Sequence, residues 1–177
     1  ITVKNSAGTK VYDQKDGTTL AKAEIKSKYL KDSLVVIEYK FKITNNGEIE
    51  GYAKNISDNL PTTLTFNSSM NSDWYTSGNE LYNSSLANTL IKPGETKELT
   101  LVLTKTMTEA NTGLINNKSQ IVESSNTKGI ENINQNTGSA NVIISVSTGT
   151  MLNYIAIVLI MFAVLSCGAY LFIRFLK

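Results

Sequence analysis

From Met151 to Ile173 the chain carries no charged side chain, and this run dictates a two-part molecule. At ~1.5 Å rise per residue, a run of about 23 residues makes a helix of roughly 34 Å, enough to cross a hydrocarbon core of ~30 Å. Arg174 and Lys177 follow at once as a stop-transfer signal. The run predicts a transmembrane α-helix with a short basic tail over 151–177. Roughly 150 residues remain, enough for one domain with its own core.

Orientation follows from charge. No Lys or Arg occurs from residue 129 to 173, while Arg174 and Lys177 close the chain. Positive residues stay cytoplasmic, so the expected topology is single-pass in the plasma membrane, with the large N-terminal part outside. Tyr154 and Tyr170 fall near the two ends of the run, where aromatic rings favour the interface. The sequence starts at Ile1 with neither a methionine nor a signal peptide. An exported domain needs an export signal, so the expectation is the C-terminal piece of a longer precursor.

The exterior part is electrically balanced. All 15 acids precede residue 132, and only Arg174 and Lys177 of the 17 bases follow it, so the formal +2 resides in the tail. No basic patch points to nucleic acid. The sequence has no histidine, and its one cysteine, Cys167, lies inside the apolar run. The exterior part therefore excludes disulfides, cysteine nucleophiles, histidine acid–base pairs and zinc-finger spacing. No catalytic residue, cofactor site or metal site is expected. A cysteine-free exterior rich in Asn, Ser, Thr and Lys points to a bacterial surface protein.

The exterior part reads as strands. Val35, Ile37, Tyr39, Phe41 and Ile43 alternate with the largely polar Val36, Glu38, Lys40 and Lys42, the signature of a half-buried strand. Leu60, Leu64 and Phe66 alternate similarly after Pro61, as do Leu99, Leu101 and Leu103, and Val142, Ile144 and Val146. Weaker strand patterns cover 20–26, 51–56, 74–75 with 81–82, and 115–123. Residues 24–31 could instead form a short helix, and 104–112 a helical turn. The Asn- and Gly-rich stretch 124–139 reads as a long loop. Residues 1–17 read as a linker or the end of a preceding module, with an extra edge strand as the alternative. Short strands divided by Gly, Pro and Asn turns predict an all-β, antiparallel two-sheet sandwich over 18–147, joined to the helix through residues 148–150.

Four segments occur in a telling order: Ile43-Thr44-Asn45-Asn46-Gly47, Ser57-Asp58-Asn59-Leu60-Pro61, Ile91-Lys92-Pro93-Gly94-Glu95 and Gly113-Leu114-Ile115-Asn116-Asn117. Over roughly residues 18–146 this order resembles the conserved repeat domain of bacterial cell-surface proteins. The resemblance implies an immunoglobulin-like β-sandwich acting as an exterior spacer or adhesion-type module, and it supplies no catalytic residue. The chain departs from the family at the fourth segment, where Lys118 stands near the usual small residue. Turn chemistry gives these segments structural roles of their own: Asp58 as acceptor in a local turn, Pro61 fixing φ at a strand entrance, Leu60 plugging the core end.

Other constellations carry little chemistry. The acid pairs Glu48 with Glu50 and Asp13 with Asp16 sit in turns and read as solvated. Residues 13–17 lack the ligand series of a calcium loop. Asn55, Asn67, Asn83 and Asn117 each open a glycosylation-type triplet, a frequent accident in an Asn/Ser/Thr-rich chain. Trp74, Tyr75 and Tyr82 suit either the core or an exposed aromatic platform. A Lys–Asn isopeptide crosslink needs both groups buried beside an acid; Lys22 or Lys26 with Asn116 or Asn117 are the candidates.

The junction before the helix frames the main alternative. Thr148-Gly149, an apolar run and a basic end follow the order of a sortase sorting signal, but Ser145 and Val146 stand where Leu and Pro belong. The favoured reading is a permanent anchor for a non-enzymatic surface module serving as stalk, scaffold or adhesion unit. Its partners would be the bilayer, other surface modules, and host or cell-wall ligands. The alternative is sortase cutting at Thr148-Gly149 and attachment to the cell wall. A membrane-tethered hydrolase is disfavoured, since no Gly-x-Ser-x-Gly elbow accompanies the missing His and Cys.

Overall fold

The structure, a computed structural model, describes residues 1–108, 111–131 and 136–147. Among the described residues the strands are β1 (Thr2–Asn5), β2 (Gly8–Val11), β3 (Leu20–Lys26), β4 (Leu34–Thr44), β5 (Gly51–Asn59), β6 (Thr65–Phe66), β7 (Trp74–Ser77), β8 (Glu80–Asn83), β9 (Thr96–Thr106), β10 (Gly113–Asn126) and β11 (Thr137–Ser147). They form two sheets, ordered β2-β1-β4-β9-β6 and β3-β11-β10-β5-β8-β7. The described residues are all-β, with the two sheets packed as a sandwich.

Alternation explains the packing. β4 and β9 pair over their full 11 residues, from Leu34↔Thr106 to Thr44↔Thr96. Val35, Ile37, Tyr39 and Ile43 from β4 lie on the buried side with Leu99, Leu101 and Leu103 from β9. From the second sheet Ala23, Ile25, Ala53, Ile56, Leu81, Ile115, Val142 and Ile144 complete the core. Lys40 and Lys42 face solvent as the alternation requires, pairing with Glu38 at 3.4 Å and Glu98 at 3.7 Å.

Trp74 and Asn71 stitch the edge of one sheet to the other. The Trp74 indole Nε1–H donates to the Thr100 carbonyl at 2.8 Å, and its ring meets Phe41 at 5.4 Å. The buried Asn71 side chain acts like a short piece of strand. It donates to the Val102 carbonyl at 2.8 Å and accepts from the Val102 N–H at 2.7 Å.

Several sequence expectations need correction. The sandwich is not wholly antiparallel: β3 pairs parallel with β11, from Leu20↔Asn141 to Lys26↔Ser147. Period-2 alternation places side chains on faces and is blind to strand direction. For residues 1–17 the edge-strand alternative describes what is seen, since β1 and β2 form a hairpin added to β4, and Val3 enters the core. The expected loop at 124–139 is shorter. β10 continues to Asn126 and β11 begins at Thr137, because backbone pairing of Ser124, Ser125 and Asn126 with β5 does not depend on apolar side chains. In 60–66 only Thr65–Phe66 is strand; Leu64 N–H bonds the Pro61 carbonyl in a turn instead. β9 runs through Thr106, so the helical turn read for 104–112 is confined to its end, where the Asn111 N–H bonds the Thr108 carbonyl at 3.3 Å. Residues Ser27–Asp32 form a short 3-10 helix, so the short-helix alternative for 24–31 holds for the part beyond β3.

Candidate functional site

The four motif segments, far apart in sequence, meet in two pairs. Asn45, from the first, is the hub of one pair. Its Oδ1 accepts from the Gly47 N–H at 2.9 Å, and its Nδ2 donates to the carbonyls of Ile49 at 2.9 Å and Ile91 at 2.8 Å. Its backbone bonds Glu95 and Gly94 of the third segment. Glu95 in turn accepts from the Lys92 N–H at 2.8 Å and meets Lys97 at 2.6 Å. Those contacts hold the Glu95 carboxyl below its ordinary range, the Lys92 N–H first among them. The two turns thus close the same pole of the sandwich.

The second pair is buried. Asp58 of β5 is fully enclosed, and the Asn117 Nδ2 of β10 donates to its Oδ2 at 2.6 Å. The pairing Ser119↔Asp58 sets Asn117 diagonally across from Asp58 on the inward face. Burial pushes the Asp58 carboxyl up to about 7, while the Asn117 bond works the other way and is outweighed. From the facing sheet, burial and the nearby Asp58 charge push the Tyr39 hydroxyl well above its ordinary value. Three atoms here have no partner: the Tyr39 hydroxyl, Asp58 Oδ1 and Asn117 Oδ1. A cleft of about 800 Å³ between the sheets is lined by Tyr39 and Asn117 along with Ile37, Ile56 and Val142. The sequence placed Asp58 in a local turn. The structure corrects this, because Asp58 lies within β5 and its carboxylate points into the core.

The other candidates separate cleanly. Asn117 meets two conditions for an isopeptide crosslink, burial and an adjacent acid, but the lysines named with it do not. Lys22 and Lys26 are exposed on β3, and Asn116 is exposed and donates to Asn141 Oδ1 at 2.7 Å. Among the described residues the buried lysine is Lys105, opposite Val35, four residues along β9 from the Leu101 that faces Tyr39. Burial lowers its pKa. Trp74 belongs to the core, whereas Tyr75 and Tyr82 stack outside it with centroids 5.6 Å apart. Asn83 and Asn117 are buried and cannot accept a glycan as folded. Asp13, Asp16 and Glu48 are exposed and Glu50 is half-buried. Among the described residues no group of three or more His, Cys, Asp or Glu side chains is placed to hold a metal ion.

The expected junction Thr148 and Gly149, the apolar run and the stop-transfer pair Arg174 and Lys177 lie outside the described residues. Among the described residues no helix is long and apolar enough to cross a membrane. Sequence reasoning missed the buried lysine and the enclosure of Asp58. Lys105 was legible, since it continues the inward phase of Leu99, Leu101 and Leu103.

No protein-family model matches the chain, and no curated protein matches it. Among solved structures it is similar to domains D2 and D3 of the major pilin SpaD from Corynebacterium diphtheriae. The two are 17% identical, with a TM-score of 0.35 over 62% of this chain and 47% of that one. The chain thus spans about half the length of that pilin fragment.

Proposed function

We propose that this chain is a non-enzymatic, membrane-anchored module of a bacterial surface protein, an immunoglobulin-like stalk that holds whatever precedes it away from the bilayer. The observation that carries this reading is the junction. The last strand of the two-sheet core, β11, ends at Ser147, four residues before the apolar, uncharged run that opens at Met151 and runs to Ile173. A folded sandwich set directly against a membrane-length segment is built to stand at a surface. The motif segments support a structural role, for they are spent on joining turns and strands to one another. The lipid bilayer is the first partner; surface modules or host and cell-wall ligands on the outer side are further ones.

Cell fractionation tests this reading. The expected result is a protein that leaves the membrane fraction only with detergent and whose C-terminal peptide still contains Arg174 and Lys177. A protein recovered without detergent would sink the anchor. The second reading, favoured by the Thr148-Gly149 order, is processing by a sortase; a mature chain ending at Thr148 and linked to peptidoglycan would establish it in place of the permanent anchor.

A further inference from the structure

A module that carries tension between an upstream chain and an anchor is defined by how its terminal strands meet that tension. Strand directions follow from the registers. β3 and β11 are parallel neighbours, paired over seven residues from Leu20↔Asn141 to Lys26↔Ser147. The chain enters β3 at the pole where β11 starts and leaves β11 at the opposite pole. The Asn141 N–H bonds the Thr19 carbonyl at 2.8 Å at the entry end, and the Ser145 hydroxyl donates to the Ala23 carbonyl at 3.2 Å farther along. β11 is held on its other side by β10, antiparallel from Gly113↔Ile144 to Gln120↔Thr137.

We infer that the parallel β3–β11 pair is a force clamp: tension between the N-terminal side and the C-terminal anchor is taken as shear across the whole ladder. The inference rests on the stalk reading above for its biological setting. Its physics rests on geometry. Pulling the start of β3 and the end of β11 apart drags the strands along their own axes, so the evenly spaced bonds of a parallel ladder share the load. Pulling the two starts apart opens the same ladder one bond at a time. The hairpin of β1 and β2 lies ahead of this clamp. β1 is joined to β4 through only Thr2↔Val36, Val3↔Val35 and Lys4↔Leu34, so it yields first, taking Val3 out of the core while the β3–β11 ladder stays paired. The inward residues Ala23, Ile25, Val142 and Ile144 add to the resistance, because sliding the strands drags these buried side chains past their neighbours.

Single-molecule pulling on the full chain in detergent micelles tests the clamp, with Cys167→Ser removing the native thiol and introduced cysteines supplying handles. One pair of handles, Thr19→Cys with Thr148→Cys, loads the ladder in shear. The other, Thr19→Cys with Thr137→Cys, unzips it from one end. At equal pulling speed the shear geometry is expected to unfold at roughly twofold or greater force, with the unfolding step governed by its barrier rather than by equilibrium stability. Equal forces, or a weaker shear geometry, overturn the inference. If Thr19→Cys unfolds the domain, an N-terminal tag replaces that handle in both geometries, and the same ratio decides. Failure here is distinct from failure of the stalk reading: a membrane-retained chain with a ratio near one loses the clamp alone, and a chain free of the membrane loses the stalk whatever the ratio.

Discussion

Asp58→Asn should remove a pH dependence of stability that the native fold carries. The Asp58 carboxyl titrates near 7 in the folded protein against an ordinary value of 3.8. Its pKa is raised, so the folded state holds the proton through that interval while the unfolded chain releases it. Its contribution is therefore fully present below pH 4 and is lost as pH rises through 7. A displacement of about three pH units, at about 1.4 kcal/mol each, gives roughly 4 kcal/mol as the upper size of the loss. The groups facing Asp58 do not offset it: Asn117 is neutral, and Tyr39 stays protonated throughout the window. Asp32 and Glu95 are shifted the opposite way, below their ordinary values. Asn at 58 keeps an oxygen to accept from Asn117 and carries no charge at any pH. Urea unfolding followed by Trp74 fluorescence, at pH 5 and pH 8, measures both proteins. The native chain should lose about 2–3 kcal/mol between the two pH values and Asp58→Asn less than about 1 kcal/mol. An equal loss in both would refute the claim that Asp58 is buried and proton-bound.

The remaining predictions concern packing. Tyr39→Phe deletes a buried hydroxyl that lacks a partner, so urea unfolding should show it neutral or more stable by up to about 1 kcal/mol. Asn71→Ala abolishes both bonds to Val102 and exposes no replacement, and chemical unfolding should report a loss of about 1–3 kcal/mol. A methyl at Gly51 would stand 2.8 Å from the Ser125 carbonyl oxygen, where backbone must move, so Gly51→Ala should lose about 1–3 kcal/mol, readable as a lower melting temperature. Leu101→Ala, at a fully enclosed position between the sheets, should lose about 2–5 kcal/mol; a loss under about 1 kcal/mol would mean the sheets do not pack there.

Much of the strand content was legible because inward and outward residues differ in kind. The β4 alternation needs no tertiary information, and Leu20–Lys26 emerges with the bounds read from sequence. Legibility failed where pairing is carried by backbone. Ser124, Ser125 and Asn126 look like loop residues, yet they complete the β10 ladder against Ala53, Tyr52 and Gly51. It also failed at polar residues on inward phases. Asp58 and Asn117 read as turn punctuation, because nothing in the local sequence reveals that each closes the other's vacancy across two strands.

The sequence by itself determined that residues 18–147 are β-structured, that the part before the apolar run is electrically balanced and without cysteine or histidine chemistry, and that a membrane-length apolar run is followed by Arg174 and Lys177. These properties are local sums, set by composition and a two-residue period. Tertiary structure alone decided that β3 runs parallel to β11, that Asn45 ties the first and third motif segments, and that Asp58 is enclosed beside Asn117. The physical reason is common to all three. A strand's period fixes which face a side chain takes, whereas its neighbour, its direction and the dielectric around its polar groups are fixed by residues up to 122 positions away, as between Ser145 and Ala23.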